Sequence, residues 1–332
     1  MKRFIVLVLI IIAISGCTEK RSLYRQTEFV MDTIVTITYT SEKDRPAVEE
    51  AFRTLKRLET LFNAFDPASE VSRVNQNAGI VPVEVSKDTF DLITRALDIS
   101  RKTTGAFDIT VGAVSLLYDF EKKTIPSITE IKARLGLVGY EKVKLMDSKV
   151  FLPLKGMKID PGGIAKGYGA DRAVDVLKAH GLKHALVAVA GDIKALGTRP
   201  DGTAWRIGIR DPRGGGDDIF AIVNLPSNWA ISTSGDYERY VIKDGVRYHH
   251  IIDPRTGLPA RGLISVSCIG PEGTMTDSLA TAVFILGRQE GEKLAESLGY
   301  GVVVVDDKGE VYVSPKAKAI TEILYKPEVK GP

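Results

Sequence analysis

Two residues in the second half of the chain have a spacing that could hold a hard metal ion. Asp277 and Thr281 are four positions apart, so on a helix both side chains lie on one face. Magnesium prefers oxygen ligands in an octahedral array and keeps several waters, so these two side chains and one carbonyl would suffice. The alternative is a helix start, with Thr276 or Asp277 as its cap and Thr281 bonded to the local backbone.

A glycine-rich stretch, Asp160-Pro-Gly-Gly-Ile-Ala-Lys-Gly-Tyr168, could bind a phosphate group. It leads from a strand-like segment into a predicted helix. Its adjacent glycines let a ligand approach the backbone, and helix N-termini attract anions. It differs from a Walker loop because Lys166 precedes Gly167 and no Ser or Thr follows in register, and it is not a GxGxxG motif. An ordinary strand-to-helix turn with an exposed lysine would have the same composition.

Two adjacent histidines, His249 and His250, precede the turn sequence Asp253-Pro-Arg-Thr-Gly257. On a strand they face opposite sides, so they cannot share a metal, but one of them can face a ligand. A structural histidine is the alternative. The nearby segment Ser232-Thr-Ser-Gly-Asp-Tyr237 is predicted to be a polar loop that could line a pocket. No G-x-S-x-G elbow supports a serine nucleophile.

In this order and spacing, the four segments resemble the ApbE family, the FAD:protein FMN transferases. Further similar segments occur in both halves of the chain, so the resemblance covers nearly all of the mature protein. These segments are Met31-Asp-Thr33, Phe65-Asp-Pro-Ala-Ser-Glu70, Ser72-Arg-Val-Asn75, Thr104-Gly-Ala-Phe-Asp-Ile-Thr110, Gly191-Asp192 and 205–212.

The resemblance implies a metal site, a substrate and a reaction. Mg²⁺ would be bound by the Asp277 carboxylate, the Thr281 hydroxyl and the Gly163 carbonyl, and His250 would assist catalysis. FMN would pass from FAD to a Ser or Thr hydroxyl of a target protein, such as a flavin-carrying subunit of a membrane redox complex, and AMP would leave. The residues implied to contact FAD are Met31, Phe65, Ala106, Phe107, Asp108, Asp160, Lys166 and Ile251.

Two other functions remain open at the level of sequence. A hydrolase that splits FAD into FMN and AMP would need the same residues. A non-enzymatic flavin-binding lipoprotein would not need a metal at the pyrophosphate, so the Asp277 and Thr281 pair weighs against it.

Three positions depart from the family pattern. Phe65 stands where a tyrosine that stacks on the flavin is often found. Asp32 replaces a usual glycine in the Met31 segment, and Ala190 replaces the first of two usual glycines before Asp192. None of these changes removes a predicted metal ligand or His250.

The N-terminal segment resembles a bacterial export signal. Lys2 and Arg3 precede an apolar run of 11 residues over 4–14, which suits a signal peptide and is short for a membrane span of roughly 20 residues. Ile14-Ser-Gly-Cys17 then resembles a lipobox, in which the cysteine becomes lipid-modified and N-terminal. An ordinary secretory signal with a chance cysteine is the alternative.

The predicted organisation is therefore a signal peptide over 1–16, a lipidated tether over 17–27 and an enzyme domain over 28–326. Acyl chains on Cys17 would anchor the protein, since each buried methylene contributes about 0.8 kcal/mol. We expect an extracytoplasmic enzyme on a bacterial membrane, on the periplasmic side if the cell is Gram-negative. With Cys17 acylated, only Cys268 remains, so no intramolecular disulfide is possible; in a strand-like run, Cys268 is predicted to be a small buried residue.

Composition excludes nucleic acid as the main partner. Hydrophobic residues make up 44% of the 332 residues and charged residues 26%, which is typical of a globular protein with a core. The formal net charge is +3, and without Lys2 and Arg3 the balance is 43 basic to 42 acidic residues. Nucleic-acid binding needs clustered Lys and Arg, which this balance does not provide.

Periodicity and turn residues predict an α+β fold, a single ApbE-like domain with a largely antiparallel sheet and inserted helices. The predicted helices cover 46–65, 87–102 with Ser86 as cap, 128–136 with a Ser127 capping box, 164–179 and 278–286. The predicted strands cover 29–39, 185–190, 204–209, 219–225, 239–242, 247–252 and 263–269. Hairpin turns are predicted at Asp201-Gly202, Asp244-Gly245 and Asp307-Lys-Gly309.

Overall fold

The computed structural model of the chain describes residues 23–216 and 218–329. The predicted signal peptide and Cys17 lie outside these residues. Within them, no helix has the length and apolar character needed to span a membrane.

The structure alternates groups of strands with helices. The strands are β1 Tyr24–Val30, β2 Thr33–Tyr39, β3 Val83–Glu84, β4 Lys144–Met146, β5 Lys149–Phe151, β6 Ala185–Val189, β7 Asp192–Leu196, β8 Trp205–Arg210, β9 Ile219–Leu225, β10 Ala230–Gly235, β11 Tyr240–Lys243, β12 Val246–His249, β13 Leu263–Gly270, β14 Gly301–Asp306, β15 Val311–Val313 and β16 Thr321–Ile323. The helices are α1 Arg45–Phe62, α2 Glu70–Gln76, α3 Lys87–Lys102, α4 Gly112–Ser115, α5 Ile128–Leu135, α6 Ala165–Ala179, α7 Gly273–Leu286, α8 Arg288–Ser297 and α9 Pro315–Lys318.

One large sheet organises the fold. Its eight strands run in the order β1-β2-β6-β7-β10-β13-β14-β15, and a second sheet has the order β16-β9-β8. Every pairing between the described strands is antiparallel. The predicted α+β class with a largely antiparallel sheet is therefore confirmed.

The two faces of the large sheet are buried by different layers. Helices α1 and α6 cover one face, where Val35, Ile37 and Val187 are fully buried. The β16-β9-β8 sheet covers the other face. Its Ile207 and Val223 belong to one hydrophobic cluster with residues of β7, β10, β13 and β14. A third cluster joins residues from Leu58 to Val304. Because this core draws on both halves of the chain, the described residues form a single domain.

Helices α6 and α7 cross with almost no space between them. A Cβ added at Gly167 would stand 2.1 Å from the Gly273 carbonyl oxygen and 2.7 Å from Asp277 Cβ. Asp171 of α6 accepts hydrogen bonds at the start of α7, from the N–H groups of Gly273 at 2.9 Å and Thr274 at 2.8 Å. These bonds satisfy backbone donors that have no partner within α7. Glycine at 167 is thus required by the close approach of the two helices.

Several predicted elements are confirmed. Ser86 caps α3 by accepting from the Thr89 N–H, and Ser127 caps α5 in a capping box with Glu130. Asp244-Gly245 joins β11 and β12, and the turn over 307–309 joins β14 and β15. Their signals are local, so the sequence alone indicates them.

The single strand predicted over 29–39 is wrong, because β1 and β2 are joined there by a two-residue turn. Met31 and Asp32 both have φ of 57°, the left-handed geometry of a tight hairpin. No glycine marks the turn. The tether predicted over 17–27 is also too long, since β1 begins at Tyr24 and pairs with β2 from its first residue.

Three other predictions need correction. The loop predicted over 232–237 is mostly strand β10, which lies between β7 and β13. Asp201-Gly202 forms a turn, but the strands around it, β7 and β8, belong to different sheets. The helix predicted over 278–286 begins five residues earlier, at Gly273, which moves Asp277 out of the first turn and overturns its interpretation as a cap.

The α6–α7 contact predicts a strong effect of a single methyl group. Gly167→Ala should lower the free energy of unfolding by about 1–3 kcal/mol, because the new Cβ forces two backbones apart. The control is Gly136→Ala, where no heavy atom lies within 4 Å of the added Cβ and a neutral or slightly stabilising effect is expected. Chemical denaturation of both variants measures the difference, and equal stability would contradict the packing described here.

Candidate functional site

The crossing of α6 and α7 brings the three predicted metal ligands together. A Cβ on Gly163, in the turn before α6, would be 3.3 Å from Thr281 Oγ1. Asp277 lies one turn earlier on the same face of α7, and its Oδ2 accepts a hydrogen bond from the Gly167 N–H at 2.9 Å. The Ser234 hydroxyl of β10 lies 3.3 Å from Thr281 Oγ1. The site thus combines one carboxylate, two hydroxyls and the backbone of a glycine turn.

The Asp277 carboxylate is enclosed, with 4% of the residue exposed. Burial, and then the negative charge of Asp192, raise its pKa to about 7, although Lys166 and the Gly167 N–H act in the opposite direction. A buried carboxylate in this setting favours a nearby cation.

Lys166 is held in the site by Asp192. The ammonium group forms an ion pair with Asp192 Oδ2, and Asp192 is only 1% exposed. Burial opposes the charge of Lys166, but Asp192 and Asp277 outweigh it and raise its pKa. Asp192 Oδ1 is enclosed without a hydrogen-bond partner among the described residues. Asp192 was not predicted to lie in the site, although the Gly191-Asp192 segment is one of the family-like segments of the sequence.

The donor set fits a hard divalent cation. No group of three or more His, Cys, Asp or Glu side chains is arranged as a metal site within 23–216 and 218–329, so the arrangement differs from zinc centres. Oxygen atoms of Asp277, Thr281 and the Gly163 backbone match the few protein ligands that Mg²⁺ takes when substrate phosphates complete its shell. Their metal-binding roles stay predictions.

The adjacent histidines differ in their surroundings. His249 is buried: Nε2 lies 2.8 Å from the Ala260 carbonyl oxygen, to which it donates, and Nδ1 accepts from the Ile251 N–H at 3.3 Å. Its ring meets Phe284 edge-on, with centroids 5.4 Å apart. Burial lowers the pKa of His249 to about 4. These contacts make His249 a structural residue.

His250 is the next residue along the chain and projects to the opposite side of the hairpin from His249. Burial, followed by the charges of Arg239, His249 and Lys166, holds its pKa well below the usual value. Nδ1 is enclosed and has no hydrogen-bond partner among the described residues. The His250 imidazole is therefore neutral near pH 7, and no other side chain of the described chain holds it.

Two predicted flavin contacts lie at the surface near the end of α1. Met31 is at the tip of the β1–β2 hairpin, and its Sδ is 2.9 Å from where a Cβ on Gly169 would stand, so it packs on α6. The φ of 57° at Asp32 explains why glycine suits that position. Phe65 follows α1 and is 74% exposed, which leaves its ring available to a ligand.

The Asp108 and Asp160 carboxylates bond the protein's own backbone and hydroxyls. Asp108 accepts from Thr110 N–H at 2.8 Å, from the Thr110 hydroxyl at 2.6 Å and from Tyr140 N–H at 2.9 Å. Asp160 accepts from the Ser115 hydroxyl at 2.6 Å and from Gly162 N–H at 2.9 Å, which fixes the glycine turn. Their direct effect is to shape loops.

The remaining predicted contacts lie at the glycine turn or in the core. Phe107 Cε2 would be 3.3 Å from a Cβ on Gly163, so its ring borders the metal ligands. Ala106 and Ile251 are buried, with 2% and 4% of each residue exposed. The FAD-binding roles of all these residues stay predictions.

Comparison with known proteins finds similar sequences that share one family. The sequence profile of the ApbE family matches residues 31–304. A FAD:protein FMN transferase of Treponema pallidum is 35% identical over 309 residues, which cover 86% of this chain and 85% of the relative. A FAD:protein FMN transferase of Vibrio cholerae is 29% identical over 330 residues, covering 96% of this chain and 98% of the relative.

Solved structures share the fold. The crystal structure of the ApbE protein from Thermotoga maritima has a TM-score of 0.84 and 36% identity, covering 90% of this chain and 99% of that one. Flavin transferase ApbE from Vibrio cholerae has a TM-score of 0.80 and 29% identity, with the same coverage of 90% and 99%.

Burial of His249 predicts a pH-dependent stability. Since its pKa is about 4 in the folded protein and about 6.5 when unfolded, protonation favours the unfolded chain. The contribution of neutral His249 to the free energy of unfolding is complete above pH 6.5. It is lost as the pH falls from 6.5 towards 4, and the loss is roughly 3 kcal/mol at most.

Denaturation between pH 7 and pH 5 should show a shallower loss of stability for His249→Gln than for the wild type. The control is His180→Gln at the surface, where the ring lies 3.0 Å from Glu50 and the wild-type slope is expected. An unchanged slope in His249→Gln would contradict the assignment of a buried neutral histidine.

Proposed function

This chain belongs to the ApbE family, and on that premise we propose that it transfers FMN from FAD to a Ser or Thr hydroxyl of a target protein and releases AMP. The observation that carries the proposal is the meeting of a glycine turn, Lys166 and the Asp277–Thr281 pair at the α6–α7 crossing. Together they offer backbone N–H groups, a cation and oxygen ligands to a pyrophosphate.

Different residues of the chain would bind the flavin and the pyrophosphate of FAD. Phe65 would stack on the flavin, and Met31 would contact it from the hairpin tip. Lys166 and the N-terminus of α6 would bind the pyrophosphate, where aligned N–H groups favour an anion. Mg²⁺ held by Gly163, Asp277 and Thr281 would neutralise charge on the phosphates and on the leaving AMP.

The reaction exchanges one phosphorus–oxygen bond for another. The acceptor hydroxyl oxygen attacks the phosphorus on the FMN side, and a phosphoester forms. The bond from that phosphorus to the bridging oxygen breaks, and its electron pair leaves with AMP. Catalysis of such a transfer consists mostly of positioning and charge neutralisation.

His250 would handle the proton of the acceptor hydroxyl. Its neutral ring can take the proton or orient the hydroxyl, because its lowered pKa keeps the imidazole uncharged at neutral pH. With Nδ1 enclosed, Nε2 is the nitrogen that would meet the hydroxyl. Asp192 would act as a positioning residue by holding Lys166.

The site should act outside the cytoplasm. Acylation of Cys17 would tether the domain to the membrane surface through the short segment before β1. This location suits acceptors that are flavin-carrying subunits of membrane redox complexes.

The transferase proposal predicts covalent labelling of an acceptor. Full-length protein in detergent is incubated with FAD, Mg²⁺ and a candidate flavin-carrying subunit, and the acceptor is examined by in-gel fluorescence and mass spectrometry. We expect the added mass of an FMN group, absent with EDTA. Asp277→Ala should lower the rate about a hundredfold or more, since it removes a charged metal ligand.

The matched control is Asp175→Ala, an aspartate on the outer face of α6 that pairs with Arg172 at 3.0 Å; its rate should equal that of the wild type. Release of FMN and AMP with every tested acceptor unlabelled would favour the hydrolase. Retention of intact FAD with or without Mg²⁺ would contradict both enzymatic functions and leave the carrier.

The anchor makes a separate prediction. Wild-type protein expressed in a bacterial host should incorporate labelled fatty acid and sediment with membranes, because a thioether-linked lipid on Cys17 holds it there. Cys17→Ala should remain unlabelled. Equal lipid incorporation by Cys17→Ala would contradict this assignment.

A further inference from the structure

Arg239 lies beside His250 at the open end of the β11–β12 hairpin. In the ladder, Tyr240 pairs with His249 and Val241 with Tyr248. The His250 N–H donates to the Arg239 carbonyl oxygen at 3.1 Å, which continues the ladder by one position. Residues directly opposite each other project to the same face, so the side chains of Arg239 and His250 share the face that meets the site.

The charge of Arg239 reaches both basic groups of the site. After burial, it is the largest cause of the lowered pKa of His250, and it also opposes protonation of Lys166. These effects agree with the ladder geometry, in which Arg239 lies opposite His250.

The two neighbouring arginines, Arg213 and Arg247, both pair with Asp236, whereas Arg239 has no such partner among the described residues. Arg213 binds Asp236 through both carboxylate oxygens at 2.8 and 2.7 Å. Arg247 lies 3.8 Å from the same carboxylate and stacks on Tyr240. Arg239 is exposed, and within 23–216 and 218–329 its side chain has no hydrogen bond or ion pair.

The charge balance of the site favours a role for Arg239 in binding an anion. Lys166 is paired with the fully buried Asp192, so its charge is balanced within the protein. Asp277 adds a second buried carboxylate. Mg²⁺ held beside Asp277 would offset that carboxylate and only part of the charge of a pyrophosphate. On the His250 side, Arg239 is placed to supply further positive charge.

We propose that Arg239 binds the flavin-side phosphate of FAD, next to the atom that the acceptor hydroxyl attacks. This inference rests on the proposed transferase function. It assigns the flavin-side phosphate because His250, the proposed proton acceptor, must lie beside the attacked phosphorus. A guanidinium presents paired donors to phosphate oxygens, and arginine stabilises the charge of a transferring phosphoryl group.

The contrasting interpretation is a solvated surface arginine without a ligand. Truncating such a residue would change neither flavin binding nor transfer. A structural arginine would instead affect all flavins alike, because its loss would disturb the hairpin that carries His250.

The experiment compares three flavins with and without the flavin-side phosphate. Binding of FAD, FMN and riboflavin to the full-length protein in detergent is measured by flavin fluorescence for wild type, Arg239→Ala and Arg239→Lys. Lys243→Ala is the control, because it removes a positive charge from the far end of the same hairpin. FMN transfer is measured in parallel.

Arg239→Ala should weaken FAD and FMN binding about tenfold to a hundredfold, the range expected for a hydrogen bond to a charged group, and leave riboflavin binding unchanged. Arg239→Lys should restore part of the loss, and Lys243→Ala should match the wild type. FAD binding and transfer equal to wild type in Arg239→Ala would overturn the inference while the proposed function stands. An equal loss for riboflavin would overturn it in favour of a structural role. Wild-type protein that binds no FAD would overturn the proposed function itself.

Discussion

The close crossing of α6 and α7 is the constraint on which the candidate site depends. Gly167 permits the approach, and the Asp171 carboxylate fixes the first residues of α7 against α6. Asp277 then accepts from the Gly167 N–H, so the two helices bond each other from both sides. Because the glycine turn precedes α6 and the Asp277–Thr281 pair lies on α7, this contact brings the residues of the proposed pyrophosphate and metal site together from distant segments.

The buried charges of the site determine which ligands it favours. Two buried carboxylates, Asp192 and Asp277, face one lysine, and burial leaves both in need of positive charge. Lys166 is paired with Asp192, so a divalent cation beside Asp277 would be the main partner of a pyrophosphate in the proposed site. The His250 imidazole stays neutral, because burial and then the charge of Arg239 lower its pKa. These charges support the proposal that the site binds a metal and a polyanion together.

Local signals in the sequence predicted much of this structure, and tertiary contacts decided the rest. The Ser127 capping box and the Asp244-Gly245 turn are contained within a few residues, and both were predicted. The start of α7 was missed because its cap is Asp171, 102 positions away. Strand β10 is polar because Ser232 and Thr233 bond Thr276 and Ser267 at 2.8 and 2.7 Å, so its pattern indicated a loop. The turn at Met31 and Asp32 contains no glycine, so the sequence did not indicate it.

In the candidate site, too, some features follow from local sequence signals and others depend on tertiary contacts. Its residue types were visible as motifs, but the alternative of Asp277 as a helix cap could be rejected only after the start of α7 was known. The roles of Asp192 and Arg239 depend on an ion pair and on a cross-strand register, neither of which has a spacing signature in the chain.

The structure and the proposed function together require that the α6–α7 crossing binds a metal against the pyrophosphate of FAD. A crystal structure of the protein with FAD and Mn²⁺, located by anomalous scattering, tests it directly. The ion should lie about 2.1 Å from oxygen atoms of Asp277 and Thr281 and contact the pyrophosphate. An ion bound elsewhere, or a pyrophosphate remote from Asp277, would contradict the proposed metal and pyrophosphate site.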